Sequence, residues 1–197
     1  MLKPKLLFGI CGSFCNHEKI LTQCITLIDD YDIQFVVSEH VCSVSTRFFK
    51  AEDFMNQLKL YTKENIIISL SQAEKIGPEN KFDIMVIAPI TATQIAKLCY
   101  GIYDGPIALC AKAMLRNQKN IVLGFASNDA IGISGSNFLQ LLARKHYYSL
   151  PIGQDDTMNK PNSLVSDFTK LKETIDLAYQ NIQIQPLFIE RRDIIEI

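Results

Sequence analysis

Residues 5–13 read KLLFGICGS, an apolar run that ends in a glycine and a serine. An uninterrupted apolar run is typical of a strand in a parallel sheet that is covered on both faces. Gly12 permits a close approach of the backbone to a ligand, and Ser13 can cap the next helix or donate a hydrogen bond to an anion. The stretch therefore predicts a strand, a turn and a helix N-terminus that favours a phosphate.

The rest of the chain repeats this alternation of strand and helix. Apolar runs of strand length lie at residues 5–11, 33–37, 66–69, 84–88, 121–125 and 147–150. Helical spacing of apolar residues marks 18–28, 48–60, the region after Pro89 up to a break near Gly101 and Gly105, then 107–115 and 138–142. This order predicts βαβ units. The expected class is α/β, with a single Rossmann-like open parallel sheet and helices on both faces.

A chain of 197 residues is expected to form one domain with a tail. We place the domain at residues 1–181 and a C-terminal arm or tail at 182–197. The polar stretch 151–163 is predicted as a long loop, and 164–179 as the last helix.

Composition excludes several classes of protein. Hydrophobic residues make up 48% of the chain, which favours a packed core. The net charge of -1 gives no global positive field for a nucleic acid. The longest run without Asp, Glu, Lys or Arg is 130–143, which is shorter than the roughly 20 apolar residues of a membrane span. The six cysteines are spread through apolar segments, so we expect reduced thiols in a cytoplasmic protein and no metal site.

Polar side chains follow several of the predicted strands. Because ligands of open parallel sheets bind outside the carboxyl ends of the strands, these residues are candidates for a binding site. Together with apolar and glycine residues next to them in the sequence, the candidates for the cofactor site are Gly9, Gly12, Ser13, Ser38, Ser45, Thr46, Arg47, Pro89, Thr91, Ala92, Thr93, Gln94 and Asn128. The G-x-G-x-x-G fingerprint is absent, and Ser38 stands where a dinucleotide ribose requires an acid. The hydroxyls of Ser43, Ser45 and Thr46 together with Arg47 can satisfy a monophosphate, which suits a mononucleotide. Simple helix capping by these hydroxyls is the structural alternative.

The central motif resembles that of a known family. Residues 9–13, Ser38, 89–98 and 101–104 resemble the flavoprotein family of homo-oligomeric flavin-containing cysteine decarboxylases. The resemblance is closer to one branch of it, the B subunits of dipicolinate synthases. The segments that carry this closer resemblance are 112–117, 127–130 with Gly132 and Gly135, 153–156 and 160–163. It extends from about residue 5 to about residue 190.

The resemblance implies a site for FMN and a homo-oligomer such as a trimer. It puts Gly12 and Ser13 at the phosphate, Ser38 and 45–47 near the phosphate and ribityl chain, and 91–94 near the isoalloxazine ring. It further implies a dehydrogenase-like partner, the A subunit of the synthase, which uses NADP. Together the two proteins would oxidise a dihydrodipicolinate-type precursor to dipicolinate, in the cytoplasm of the mother cell of a spore-forming bacterium.

A heterocyclic dicarboxylate requires cations or N–H donors. The candidates in the sequence are Arg47, Lys97, Lys112, Arg116 and Lys160. His40 and Asn128 are the candidates for catalysis, although the catalytic residues stay unassigned.

The chain also departs from the decarboxylase pattern. Residues 125–128 keep only the Asn of the Pro-x-Met-Asn segment found in the decarboxylases. Where the central motif of the decarboxylases has an Asn followed by a Thr, this chain has Thr93 followed by Gln94. Two alternatives therefore stay open: a flavin-binding or scaffolding subunit without catalysis, and a flavin-dependent decarboxylase.

Overall fold

The structure is a computed structural model that describes residues 3–189. Within this range the strands are β1 (Lys5–Ile10), β2 (Asp32–Val37), β3 (Ile84–Ile90), β4 (Asn120–Ser127), β5 (Tyr147–Ser149), β6 (Ile152–Asp156) and β7 (Lys160–Ser166). The helices are α1 (His17–Leu27), α2 (Glu39–Ser43), α3 (Ala51–Lys59), α4 (Leu70–Ala73), α5 (Ile76–Glu79), α6 (Ala92–Tyr100), α7 (Pro106–Arg116), α8 (Ile133–Leu142) and α9 (Leu171–Tyr179). Short 3-10 turns at Phe14–Asn16 and Phe168–Lys170 lead into α1 and α9.

The strands form one open sheet in the order β2-β1-β3-β4-β7-β6, with β5 also paired to β4. Strands β1 to β5 are parallel, whereas β7 is antiparallel to both β4 and β6. The predicted α/β class, with its open and mostly parallel sheet, is confirmed.

Side chains along each strand point alternately to the two faces of the sheet, and this divides the core into two layers. In β1, Leu7 packs into the cluster that includes residues of α6, α7 and α8. Its neighbours Leu6 and Phe8 point to the opposite face and pack with residues of α1, α3 and α9. Helices therefore cover both faces of the central strands.

The predicted loop at 151–163 is wrong. These residues form β6 and the first part of β7, a hairpin at the edge of the sheet. Its strands carry Gln154, Asp155 and Lys160 because an edge hairpin leaves many side chains in water, so no apolar run marks it. The last helix consequently begins at Leu171 rather than at residue 164.

Other boundaries differ less from the prediction. The stretch 66–69 contributes only a single bridge, from Ile67 to Val36, and it is followed by two short helices that the sequence analysis did not predict, α4 and α5. The predicted break after α6 is confirmed, since Gly101 ends that helix with a φ of 71°. None of the helices within 3–189 is long and apolar enough to span a bilayer.

The described part of the predicted arm, 182–189, runs along the hairpin. The backbone N–H of Ile152 donates to the carbonyl of Leu187, and that of Ile189 donates to the carbonyl of Ile152. The rest of the arm lies outside the described residues, and the domain boundary at residue 181 stays a prediction.

Candidate functional site

The carboxyl ends of three neighbouring strands meet at one edge of the sheet. The N–H of Cys11, after β1, donates to the carbonyl of Pro89 in β3 at 3.1 Å. The N–H of Ser38, after β2, donates to the carbonyl of Ile10 at 3.1 Å. These bonds hold the turns after β1, β2 and β3 side by side, as expected for the ligand edge of such a sheet.

A cavity of about 640 Å³ opens between these turns. We call it the first cavity. It is lined by Cys11, Gly12, Phe14, Ser38, Glu39, His40, Ile68, Ser69, Leu70, Thr91, Thr93, Gln94, Lys97, Asp104, Gly105, Pro106 and Ile107. Its volume falls in the range of pockets that hold small organic ligands, about 300–1,000 Å³. Five of the predicted cofactor residues, and the catalytic candidate His40, thus lie on one cavity.

Two side chains of the first cavity carry buried polar atoms without a partner among the described residues. They are the hydroxyl Oγ of Ser38 and the amide Nε2 of Gln94. An unsatisfied buried group of this kind costs about 1–3 kcal/mol. Native proteins rarely leave such groups unpaired, so the cavity is suited to a guest that offers polar atoms to both.

One pair of charges on the first cavity, Lys97 with Asp104, is neutralised internally, whereas the Glu39 carboxylate forms no ion pair with the residues between 3 and 189. The ammonium of Lys97 forms an ion pair with Asp104 at 2.8 Å, and its hydrogen bond holds the pKa of that carboxyl below the usual range. Burial raises the pKa of the Cys11 thiol to about 12, so this sulfur is a thiol rather than a thiolate at neutral pH. A guest that is uncharged where it meets this lining, and that forms hydrogen bonds with it, fits the first cavity.

A second cavity, of about 870 Å³, lies next to the first. It is lined by Gly12, Ser13, Phe14, Cys15, Asn16, Lys19, Arg47, Phe48, Thr91, Ala126, Ser127, Asn128, Asp129, Asp155, Lys160, Ser163, Leu164 and Val165. Gly12, Phe14 and Thr91 line both cavities. The structure therefore divides the predicted site residues into two adjoining groups, with Ser13, Arg47 and Asn128 in the second.

Some predicted residues make structural contacts instead. The hydroxyl of Ser45 accepts a hydrogen bond from the N–H of Ala51, at the start of α3, and that of Thr46 accepts one from Phe48. Among the described lining residues of the two cavities, these two serine and threonine side chains do not appear, and neither do Gly9, Pro89 and Ala92. The contact of Ser45 supports the helix-capping alternative, whereas Thr46 accepts its hydrogen bond within the turn that precedes α3.

His17 supports the wall that the cavities share. Its Nε2–H donates to the carbonyl of Cys11 at 2.9 Å, and its ring stacks on Phe54 with centroids 4.3 Å apart. The ring of Phe14 is tilted against the imidazole, with its centroid 5.2 Å from that of His17. Burial lowers the pKa of His17, so the imidazole is neutral at pH 7.

The sequence pattern of the Flavoprotein family matches residues 1–166. The chain belongs to the Flavoprotein family. The B subunit of dipicolinate synthase from Bacillus subtilis (strain 168) is 36% identical over 184 residues, covering 93% of this chain and 92% of that protein. The crystal structure of the corresponding B subunit from Bacillus halodurans C superposes with a TM-score of 0.87 at 38% identity, covering 95% of this chain and 97% of that one.

A protein of much lower sequence identity shares the fold. The FMN-dependent cysteine decarboxylase SpaF superposes with a TM-score of 0.65 at 19% identity, covering 90% of this chain and 96% of that one. The resemblance inferred from the motifs, to the flavoprotein family and to its dipicolinate synthase branch, is confirmed.

Several lining residues were missed by the sequence analysis. Phe14 separates the two cavities, Ile68 and Leu70 form part of the first, and Ser163 contributes to the second from the hairpin. Phe14 is the one among them that the sequence could most readily have revealed, because it directly follows the glycine-serine turn. Ser163 lies in the segment 160–163 that carries the closer resemblance, but no strand-and-turn pattern marked it as a lining residue.

Proposed function

We propose that the first cavity binds FMN and that the chain acts as the B subunit of a dipicolinate synthase. The observation that carries the FMN assignment is the pair of unpartnered polar atoms, Ser38 Oγ and Gln94 Nε2, on the same cavity. A flavin ring edge and a ribityl chain offer carbonyls, ring nitrogens and hydroxyls that would satisfy both.

The residues that would hold the cofactor follow from the lining. Thr91, Thr93 and Gln94 lie at the start of α6, and the Thr91 hydroxyl already accepts from the N–H of Gln94 at 3.4 Å. The other N–H groups of this first turn have no partner within the helix and can therefore donate to a ligand. Gly12, which lines this cavity, is assigned to the phosphate, whereas Ser13, expected there from the sequence, lies on the second cavity. Bound FMN would supply redox chemistry at this edge of the sheet.

The similarity to dipicolinate synthase B subunits supports the reaction that we propose. A dihydrodipicolinate-type precursor loses a hydride and a proton to become aromatic dipicolinate, and NADP⁺ on the dehydrogenase-like A subunit takes up the hydride. In this scheme the present chain positions the precursor beside that partner, in the cytoplasm of a spore-forming cell. We also propose that copies of the chain assemble, as a homo-oligomer, around the cofactor site.

Two measurements on purified protein test this proposal. The first is the absorbance of the protein as isolated and after addition of FMN, which we expect to show a bound flavin in saturable amount. The second is dipicolinate formation from the precursor and NADP⁺ by the dehydrogenase-like partner, with and without this chain. We expect product to form at a useful rate only when both proteins are present, and equal rates with and without this chain would refute the synthase assignment.

A non-catalytic role in holding the partner is the alternative. It is favoured by the separation of the two catalytic candidates, since His40 lines only the first cavity and Asn128 only the second. A colourless protein that fails to bind added FMN, yet is still required for dipicolinate formation, would establish this scaffolding role.

A further inference from the structure

The second cavity differs from the first in its charge. Its lysines and arginine, Lys19, Arg47 and Lys160, outnumber its carboxylates, Asp129 and Asp155. Both carboxylates have partners within the protein, but only that of Asp155 is neutralised by a cation among the described residues. Asp155 forms an ion pair with Lys160 at 2.8 Å, and Asp129 accepts hydrogen bonds from the hydroxyls of Ser127 and Ser134.

Lys19 and Arg47 differ from Lys160 in having no such partner. Neither forms an ion pair with any residue between positions 3 and 189. They reach the cavity from different elements, Lys19 from α1 and Arg47 from the turn before α3. Two unpaired cations that come from different elements suit a ligand with two negative groups, since each can form its own charge-assisted hydrogen bond.

Aromatic rings and neutral polar groups complete the lining. Phe14 and Phe48 both line the cavity, and the guanidinium of Arg47 lies over the ring of Phe48, 4.8 Å from its centroid. The ring thereby holds Arg47 in place beside the cavity. Ser163 and Asn128 add a hydroxyl and an amide, which hydrogen bond to each other at 3.5 Å. The combination favours a flat, ring-containing guest.

We propose that the second cavity binds a planar aromatic or heteroaromatic dicarboxylate, with Arg47 and Lys19 each holding one carboxylate. This inference deepens the proposed function, on which it rests for the identity of the reaction, by separating a substrate subsite from the FMN cavity. It reassigns Arg47 from the cofactor phosphate to the substrate. Lys97, Lys112 and Arg116 are excluded from the subsite, because none of them lines the second cavity.

Calorimetric titration of the full-length protein with pyridine-2,6-dicarboxylate tests the subsite directly. We expect saturable binding that weakens about tenfold or more in Arg47→Gln and in Lys19→Gln, because each loses a hydrogen bond to a charged group. Lys50→Gln is the matched control, since it removes the same charge from an exposed residue of the same turn that lines neither cavity. It should bind as the wild type does. Circular dichroism melting confirms that each variant is folded.

Three further outcomes decide the proposal. Pyridine-2-carboxylate, with one carboxylate, should bind at least about tenfold more weakly, and equal binding would refute the two-cation arrangement. Unchanged dicarboxylate affinity in both Arg47→Gln and Lys19→Gln would refute the location. Competition between FMN and the dicarboxylate would refute separate cavities. Because this readout needs neither flavin nor the dehydrogenase-like partner, a protein that binds the dicarboxylate as described but fails to bind FMN would refute only the proposed function.

Discussion

The two cavities share a wall but differ in chemistry. The first has an internally neutralised cation, Lys97, and two neutral polar atoms without partners among the described residues. The second has its carboxylates engaged and two cations, Lys19 and Arg47, that no carboxylate within 3–189 neutralises. Neutral donors left unpaired suit the heteroatoms of a ring, whereas unpaired cations suit carboxylates. The two linings therefore agree with the proposal that one cavity binds a cofactor and the other an acidic substrate.

The difference arises from where each cavity lies on the sheet. The first lies between the turns of the parallel strands β1, β2 and β3, where backbone geometry fixes the polar groups. The second extends toward the antiparallel hairpin of β6 and β7, whose exposed strands carry charged side chains. The hairpin contributes the ion pair of Lys160 with Asp155, whereas the two unpaired cations of the second cavity come from α1 and from the turn before α3.

The largest effect on stability should come from displacing the loop at 128–132, between β4 and α8. A Cβ added at Gly135, in the first turn of α8, would lie 1.9 Å from the carbonyl oxygen of Ala130. Because backbone must shift to relieve this clash, we expect Gly135→Ala to lower the free energy of unfolding by about 2–4 kcal/mol. It should weaken dicarboxylate binding more than FMN binding, since the displaced loop leads to Asn128. Denaturant unfolding and titration with each ligand measure this.

Gly105→Ala provides the matched control. Gly105 lines the first cavity, and a Cβ there meets no heavy atom within 4 Å. As an N-cap residue with a φ of -142°, it accepts alanine at a cost of about 1 kcal/mol or less. An equal loss of stability in both glycine variants would show that the clash at Gly135 is not the cause.

Ser38→Ala and Gln94→Met sharpen the assignment of the first cavity. Each removes an unpartnered buried polar atom, so the free energy of unfolding without ligand should stay the same or rise by up to about 1 kcal/mol. FMN affinity should nevertheless fall about tenfold, because a ligand hydrogen bond is lost. Fluorescence quenching of FMN measures the affinity.

Ser69→Ala separates binding from structure in the same cavity. Ser69 also lines it, but its hydroxyl accepts the N–H of Gln72 in a capping box at the start of α4. This variant should lose about 1 kcal/mol of stability with little change in FMN affinity. The opposite pattern, with Ser38→Ala destabilised and its FMN affinity unchanged, would contradict the assignment.

Acidification should weaken the wall common to both cavities. The folded state lowers the pKa of His17 by burial, so between that pKa and the unfolded value of about 6.5 the unfolded chain binds more protons. Stability is therefore fully present above about pH 6.5 and is lost as the pH falls, by at most about 1.4 kcal/mol per pH unit. We expect His17→Gln to flatten this dependence in urea unfolding measured from pH 7 to pH 5.

His146→Asn is the comparison for this pH effect. Burial also lowers the pKa of His146, but this residue is only partly buried, so its replacement should change the dependence less. Asparagine tolerates the positive φ of 74° at this position. Parallel stability curves for the wild type and His17→Gln would contradict the role given to His17.

The sequence was sufficient to predict the parallel part of the sheet and much of the first cavity. Apolar runs mark doubly covered strands, and the residues after them, such as Gly12, Ser38 and Thr91, meet because parallel strands end at one edge. The grouping of residues into two cavities could not be predicted. It depends on the position of the Phe14 ring and on which hydroxyls find partners, and both are set by tertiary contacts.

The hairpin shows the same limit for the second cavity. Lys160 was a candidate for the substrate carboxylates from its charge alone, and only the structure shows it 2.8 Å from Asp155. Lys19 was not singled out, since an exposed lysine on a helix has no distinguishing pattern. Whether a charged side chain can bind a ligand can be inferred only when its ion-pair partners in the structure are known.

The smallest effect should come from Lys160, and it tests whether pairing decides which cations bind the ligand. Its hydrogen bond with Asp155 raises the pKa of Lys160, and both side chains are exposed. An exposed pair contributes roughly 0–1 kcal/mol, so Lys160→Gln should barely change stability. Because Asp155 already neutralises this cation, dicarboxylate affinity should fall less than about threefold, well below the loss in Arg47→Gln. Asp155→Asn should free the ammonium and tighten dicarboxylate binding, and a loss of affinity in Lys160→Gln as large as that in Arg47→Gln would show that pairing with Asp155 does not decide which cations bind the ligand.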